Sequence, residues 1–258
     1  MDLGLRGRTV LITGGSKGIG AGTARVMAAE GANLVLVARN ADTLQKTQDE
    51  ILACWPVKVE IDACDLSSGE RVVGLSKRHQ AVDILVNNAG SVPSGTLFDV
   101  SEARWREGWD SKVFPYINMC RTYYPIMKQR GGGVIVNVLG IGSRLKRPDH
   151  PCIAMGNAAL DVLTEILGAS GPRDNIRVVG VAPGPVDTER YRSIGTLGKP
   201  GQPAAPGSAK PPAFPFNRIA TTEELGSAIA FAASERSGYT SGTIIVVDGG
   251  ISAIKATI

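Results

Sequence analysis

Seven short apolar runs, each rich in valine or isoleucine, constrain the fold of this chain more than any other feature. In order they are RTVLIT, NLVLVA, VKVEIDA, VDILVN, GVIVNVL, IRVVGVA and TIIVVD. Segments long enough for helices separate them, and the runs are almost continuously hydrophobic, which is typical of parallel strands covered on both faces. The sequence therefore predicts a single α/β domain with a doubly wound, seven-stranded parallel sheet, helices on both faces and right-handed crossovers.

The composition of the chain excludes several classes of protein. With 43% hydrophobic and 20% charged residues among 258, it is typical of a soluble globular domain. The longest apolar runs are far shorter than the ~20 residues of a membrane helix, and the first residues lack a secretory signal. We therefore expect a cytoplasmic protein with no membrane partner. The net charge of +4 is spread along the chain and does not favour nucleic acid, and four cysteines without a C-x-x-C pair suggest neither disulfides nor a metal site.

A proline-rich segment interrupts the regular order of the runs late in the chain. Six prolines lie between Pro200 and Pro215. Because proline lacks the backbone donor and fixes φ, this stretch cannot be a regular helix. We expect a lid-like insertion at about residues 190–217, which either covers a substrate site or is an ordinary surface loop.

The first apolar run leads into the glycine-rich sequence GGSKGIG. Its three spaced glycines allow a pyrophosphate to approach the backbone amides at the start of a helix. Such a turn is a weak signal alone, but here it joins the first strand to the first helix, as a dinucleotide site requires. The predicted phosphate-binding residues are Gly14, Ser16, Lys17, Gly18, Ile19 and Gly20.

The end of the second run bears on which dinucleotide is bound. Ala38 stands where NAD-preferring proteins place an acid for the ribose hydroxyls, and Arg39 follows it. Arg39 and Lys17 together could hold a 2′-phosphate by charge-assisted hydrogen bonds. The sequence therefore favours NADP(H) over NAD(H), although either cation alone could be a solvated surface charge.

Several ordered motifs together show a family resemblance that covers nearly the whole chain. TGGSKGIG, CDL, NNAG, PGPVDT and the closing SGTIIVVDGG resemble, in order and spacing, the short-chain dehydrogenase/reductase family. The resemblance implies a Rossmann-type fold, oxidoreductase activity and a homodimer or homotetramer. It also implies that Asp65 and Leu66 flank the adenine, and that Asn88, Ala89 and Gly90 pass beneath the cofactor. The residues implied to border the nicotinamide are Pro183, Gly184, Val186 and Thr188.

The same resemblance locates the positions of the family's Asn, Ser, Tyr and Lys catalytic set, and all four are replaced. NAAL matches the family's K-A-A-L, which puts Asn157 at the lysine position and Ile153 at the tyrosine position. Gly140 falls at the serine position and Lys112 at the asparagine position. Tyr124 and Lys128 have the Y-x-x-x-K spacing but precede the fifth run, so we interpret that match as coincidence.

A substitute proton donor is one way for such a protein to remain an enzyme. Lys112 is the first candidate, because burial could lower its pKa into a useful range. His150 and Ser143 are further candidates, against interpretations as loop residues. Cys152 could be a weak donor but is interpreted as a small buried thiol.

The sequence leaves three functional hypotheses open. The first is an NADP(H)-dependent oxidoreductase acting on a small carbonyl or alcohol, or on an activated quinone or enone, with a non-standard proton donor. The second is a catalytically silent NADPH-binding sensor or scaffold, and the third is a lyase or isomerase on the same fold. The segment SRLKRPDH, residues 143–150, carries three basic residues, which makes an anionic substrate conceivable, although a solvated loop explains it equally.

Overall fold

A computed structural model describes residues 1–193 and 214–253. Its seven strands form one parallel sheet in the order β3-β2-β1-β4-β5-β6-β7, which confirms the predicted fold class. Each predicted run contains one strand. The strands are β1 (Thr9–Thr13), β2 (Asn33–Ala38), β3 (Val59–Ala63), β4 (Ile84–Asn87), β5 (Gly133–Val138), β6 (Ile176–Pro183) and β7 (Ile244–Val247).

Helices fill the connections between the strands. In the described residues they are α1 (Gly18–Ala29), α2 (Ala41–Cys54), α3 (Gly69–Arg78), α4 (Glu102–Gln129), α5 (Gly142–Leu145), α6 (Pro151–Ser170), α7 (Glu189–Ser193) and α8 (Thr222–Ala233). Side-chain caps fix several of their starts. Asn40, Ser68 and Ser101 each accept a hydrogen bond from a first-turn amide, and Thr221 forms a capping box with Glu224.

The two faces of the sheet carry two separate cores. Along β1, Val10 and Ile12 pack in a cluster with α1, α2 and α8, whereas Leu11 packs in a second cluster with α3 and α4. Successive side chains of a strand point to opposite faces, so the apolar residues at successive positions are needed on both sides. This is the physical reason for the continuous apolar runs in the sequence.

The strand order places a crevice at one end of the sheet. β1 lies between β2 and β4, so the chain leaves the carboxyl ends of β1 and β4 toward opposite faces. Ligands of doubly wound sheets bind at this switch point.

Helix α6 departs from the expectation that no segment could span a membrane. Together with the turn that follows it, Pro151–Asp174, it is the one helix in residues 1–193 and 214–253 that meets the length and composition criterion, with a mean hydropathy of 1.3. Helix α6 contains no long apolar run, because small residues and the acids Asp161 and Glu165 separate its large apolar side chains. The helix packs against β6 and α4, and core helices meet the same criterion.

Most of the predicted proline-rich insertion falls outside the described residues. Residues 189–193 form α7, so the insertion at about 190–217 begins within a short helix, and residues 215–217 form a 3₁₀ turn. Residues 194–213 are not described, and the prediction of a lid there stays a prediction.

Candidate active site

A cleft of about 1210 Å³ opens at the carboxyl ends of the central strands. Thirteen of the sixteen residues predicted to bind the cofactor line it. These are Gly14, Ser16, Lys17, Gly18, Ile19, Arg39, Asp65, Leu66, Asn88, Ala89, Gly90, Pro183 and Thr188. Pockets for drug-sized ligands measure roughly 300–1,000 Å³, so this cleft is large enough for a dinucleotide together with a small substrate.

The glycine-rich turn fits a pyrophosphate. Lys17 is the N-cap of α1 and provides no side-chain cap, and the first turn contains no acidic residue. The first amides of the helix therefore keep their hydrogen-bonding capacity and their favourable field for an anion. Gly14 and Gly18 adopt φ values of +67° and +54°, a region in which glycine is preferred.

The three remaining predicted cofactor residues, Gly20, Gly184 and Val186, do not line the cleft but are closely packed. A Cβ at Gly20 would lie 2.1 Å from the Gly14 oxygen, and one at Gly184 would lie 2.8 Å from Asp248 Cα. Val186 is buried and pairs with Ala220 in an isolated bridge. Close packing therefore explains these three positions in this structure.

Hydrogen bonds join the ends of β1 and β4 beneath the cofactor site. The Thr13 hydroxyl accepts from the amides of Asn88 and Ala89 at 2.9 and 3.0 Å. The Asn88 side chain donates to the oxygens of Thr13 and Gly14 at 3.0 and 3.3 Å. The glycine-rich turn and the NNAG segment thus form one connected unit.

The end of the cleft next to β2 carries basic side chains. Arg39 and Ala38 line it, and Arg39 forms no ion pair within the described part of the chain. Lys17 pairs with Glu189 at 3.0 Å across the mouth of the cleft. Two hydrogen bonds from Ser67 lower the pKa of Asp65 and hold its carboxylate in place.

Lys112 lies at the inner end of the same cleft. Its Nζ donates to the Leu139 oxygen at 3.2 Å and lies 5.4 Å from the centre of the Tyr116 ring. Burial, followed by the charge of Arg190, lowers the pKa of Lys112 to about 8. Pro115 removes the donor that the Ser111 carbonyl would have in a regular helix, so α4 is locally irregular where Lys112 enters the cleft.

Positions 140, 153 and 157, which the family resemblance assigned to catalysis, lie close to one another in the structure. A Cβ at Gly140 would lie 2.9 Å from Asn157 Nδ2, and one at Gly142 would lie 3.1 Å from both that atom and Ile153 Cγ2. Asn157 is buried, and its Oδ1 has no hydrogen-bond partner among the described residues. The Asn157 amide therefore occupies space that a side chain at position 140 would need.

The other candidate proton donors lie away from the described lining of the cleft. Ser143 donates to Asp161 at 2.7 Å, and His150 is the N-cap residue of α6 with its Nδ1 3.0 Å from Asp149. Cys152 is fully buried, as its interpretation as a structural thiol predicted. Tyr124 donates to Asp174 at 2.9 Å near the far end of α4, so its spacing to Lys128 has no relation to the cleft.

Sequence reasoning missed Arg190. Its guanidinium lines the cleft and donates to the Val92 oxygen at 2.9 Å. Arg190 follows the PGPVDT motif by two residues, and this position next to the nicotinamide-end motif was the available signal.

Sequence comparison identifies the family. A model of the family described as "Enoyl-(Acyl carrier protein) reductase" matches residues 14–252. The curated oxidoreductase UcpA of Salmonella typhimurium (strain LT2) is 35% identical over 252 residues, which cover 95% of each chain. The chain belongs to the short-chain dehydrogenase/reductase family.

Solved structures of short-chain dehydrogenases and reductases share this fold. L-Sorbose reductase from Gluconobacter frateurii, complexed with NADPH and L-sorbose, is 29% identical with a TM-score of 0.86, over 99% of this chain and 100% of its own. A 7α-hydroxysteroid dehydrogenase complexed with NADH and 7-oxo glycochenodeoxycholic acid is 28% identical with a TM-score of 0.86, over 96% of each chain. These relatives support an oxidoreductase of the short-chain family that uses a nicotinamide cofactor.

Proposed function

We propose that the protein is an NADP(H)-dependent reductase or dehydrogenase of a small carbonyl or alcohol, in which Lys112 replaces the usual proton donor. The observation that carries the proposal is the position of Lys112, which lines the cleft with its Cβ and Cγ against Gly90 and its Nζ donating to the Leu139 oxygen. A lysine with a lowered pKa can exchange a proton near neutral pH.

The cofactor would be held along the residues that line the cleft. The amides at the start of α1 would bind the pyrophosphate, Arg39 and Lys17 the 2′-phosphate, and Asp65 with Leu66 would flank the adenine. Arg39 and the absence of an acid at Ala38 support NADP(H) over NAD(H). Bound NADPH supplies a hydride.

The chain's own residues then account for the proton. In the direction of reduction, the protonated Lys112 would polarise the substrate oxygen and donate a proton to it as negative charge develops. Ile153 cannot donate a proton, and Asn157 is buried against Gly140. Lys112 is therefore the titratable group best placed for this step among the candidates that the sequence offered.

The test is single-turnover oxidation of bound NADPH, followed by its loss of absorbance, against a panel of ketones, enones and quinones. Lys112→Met should slow reduction of simple ketones by about 10²- to 10⁴-fold, the usual contribution of a positioned acid. Lys128→Met is the matched control, because Lys128 lies at the exposed end of the same helix and pairs with Asp174. Its rate should equal that of the parent.

Each contrary result has a definite meaning. Ketone reduction that is indifferent to Lys112→Met would exclude Lys112 as the donor. Turnover of quinones alone, equally indifferent, would indicate an acceptor that needs no acid. Tight NADPH binding without oxidation by any acceptor would favour the second hypothesis, a catalytically silent NADPH-binding protein.

We also propose a homo-oligomer. Large apolar side chains lie exposed along α6 and on the neighbouring α4, at Met155, Val162, Ile166 and Phe114, each between 45% and 61% exposed. Exposed apolar patches of this kind mark contact surfaces. Their spacing along α6 places them on one face of the helix.

A further inference from the structure

Two cationic side chains approach one short segment of the cleft from different elements. Lys112, on α4, packs against Gly90 so closely that a Cβ there would lie 2.7 Å from Lys112 Cβ. Arg190, on α7, donates to the Val92 oxygen at 2.9 Å. Between these contacts, the Ser111 hydroxyl donates to the Ser91 oxygen and fixes the segment to α4. Lys112 and Arg190 therefore flank residues 90–92 at the inner end of the cleft.

Neither cation has a carboxylate partner. All 24 Asp and Glu residues of the chain lie in the described ranges, and none forms an ion pair with Lys112 or Arg190 there; the two contact backbone carbonyls instead. Arg192, two residues further along the chain, does have a carboxylate partner, because its Nε lies 2.6 Å from Asp187 Oδ1. Burial lowers the pKa of both Lys112 and Arg190, because it removes each charge from water, and the charge of Arg190 lowers the pKa of Lys112 further.

The acids nearest this site do not neutralise it. Glu107 and Asp110 line the cleft on the exposed side of α4 and reach neither cation within ion-pairing distance. Asp161 accepts from Ser143 and contacts Arg144 at 3.4 Å. An anionic ligand group would therefore supply the charge that the chain itself does not.

The basic segment 143–150, which first suggested an anionic substrate, differs from this pair because two of its cations have carboxylate partners. Within residues 143–150, Arg147 forms a bidentate pair with Asp149 at 3.0 and 2.6 Å, and Arg144 contacts Asp161. Two of its three basic residues are thus paired, one of them with Asp161 on α6, and none of residues 143–150 lines the cleft.

We propose that Lys112 and Arg190 form a subsite for a carbonyl compound that carries an anionic group, a carboxylate or a phosphate ester. The inference rests on the proposed function, because it makes the carbonyl oxygen the group beside Lys112 and the anionic group the partner of Arg190. A planar guanidinium suits either oxyanion by bidentate hydrogen bonds.

Binding of an unreactive probe tests the subsite without any turnover. Oxamate carries a carboxylate next to an amide carbonyl that is not reduced, and oxamide is its neutral counterpart. Calorimetric titration into the protein saturated with NADP⁺ should show oxamate binding at least tenfold more tightly than oxamide. Inorganic phosphate, titrated in parallel, distinguishes the two kinds of anionic group.

Variants assign the preference to the named side chains. Arg190→Gln should weaken oxamate or phosphate binding by about 10- to 100-fold, the loss expected for hydrogen bonds to a charged group, and leave oxamide unchanged. Arg190→Lys, which keeps the charge, should recover part of the affinity. Arg192→Gln, on the same helix but outside the main cleft, should bind as the parent does.

The outcomes separate this inference from the proposed function. Binding of neither oxamate nor phosphate, or anion affinities that are all indifferent to Arg190→Gln, would overturn the subsite even if neutral ketones are reduced. Anion binding that depends on Arg190 would uphold it even if no acceptor oxidises NADPH. Tighter binding of phosphate than of oxamate would assign the subsite to phosphate esters.

Discussion

The environment of Lys112 makes its protonation state depend on pH within the physiological range. Burial disfavours its protonated form most, the charge of Arg190 disfavours that form further, and Asp161 favours it more weakly. An exposed lysine titrates near pH 10.4, whereas the pKa of Lys112 is about 8. The proposed acid is therefore charged at neutral pH and neutral in mild alkali.

We predict that ketone reduction falls as pH rises through about 8. Only the protonated Lys112 can donate, so single-turnover rates with a neutral ketone should be constant below about pH 7 and decline above pH 8. In Arg190→Gln, the midpoint should move to higher pH, because a like charge has been removed. A pH profile that is flat from 6 to 9.5, or a midpoint that moves down in this variant, would contradict the role of Lys112.

The proposed preference for NADP(H) also depends on a single residue, Arg39. Arg39→Ala should weaken NADPH binding by ~1.5–3 kcal/mol, since hydrogen bonds to a charged group contribute about that much, and should leave NADH binding nearly unchanged. Titration of cofactor fluorescence with each nucleotide provides the measurement. Arg104→Ala, an exposed arginine on α4 that does not line the cleft, is the control, and equal losses for both nucleotides would contradict a 2′-phosphate contact.

At the scale of elements, the residues that follow β5 are sterically matched to helix α6. The Asn157 amide reaches the backbone at Gly140, where a side chain would start 2.9 Å from Nδ2. The glycine leaves the room that the asparagine uses. A serine at position 140 therefore meets a steric obstacle while Asn157 is present.

We predict that Gly140→Ser destabilises the fold by ~1–3 kcal/mol, a typical cost of overpacking. The loss should shrink in the Asn157→Ala background, so the two changes should show a coupling of about 0.5 kcal/mol or more. Urea denaturation of the two single variants and the double variant measures it. Gly74→Ser, where a Cβ meets only Arg78 NH1 at 3.6 Å, should cost little; simple additivity at positions 140 and 157 would contradict the steric match.

The elements differ in how far the sequence predicts them. The strands could be predicted because both faces of a covered sheet demand valine or isoleucine at successive positions. Helix α6 did not stand out as an apolar segment, since alanine and glycine dilute its large side chains. The glycine-rich turn was predictable from its position between β1 and α1. The close packing around Gly20, Gly184 and Val186 was not, and their cofactor contacts stay a prediction. Arg190 depends on how α7 folds back over Val92, a tertiary contact with no local pattern.

At the scale of the whole molecule, the proposed homo-oligomer would form through the exposed apolar face of α6. Val162→Glu combined with Ile166→Glu should convert an oligomer into monomers in sedimentation velocity, because two buried charges would lack partners in the contact. Val73→Glu, an exposed valine on α3, should leave the assembly unchanged. A parent protein that sediments as a monomer at high micromolar concentration, or a double variant that still assembles, would contradict the proposed contact surface.

The hydrogen bonds of Thr13 have a consequence for how the molecule is made. β2 follows β1 directly in the chain, but the neighbour on the other side of β1 is β4, formed by residues 84–87. On the ribosome, one edge of β1 therefore remains without its partner until β4 has emerged. The amides of Asn88 and Ala89 that complete the floor of the nucleotide site arrive at the same moment. Non-local parallel pairing forms slowly, so we expect the nascent chain to pair β1 with β4 and to complete this floor of the cleft in a single step, after residues 84–89 have emerged.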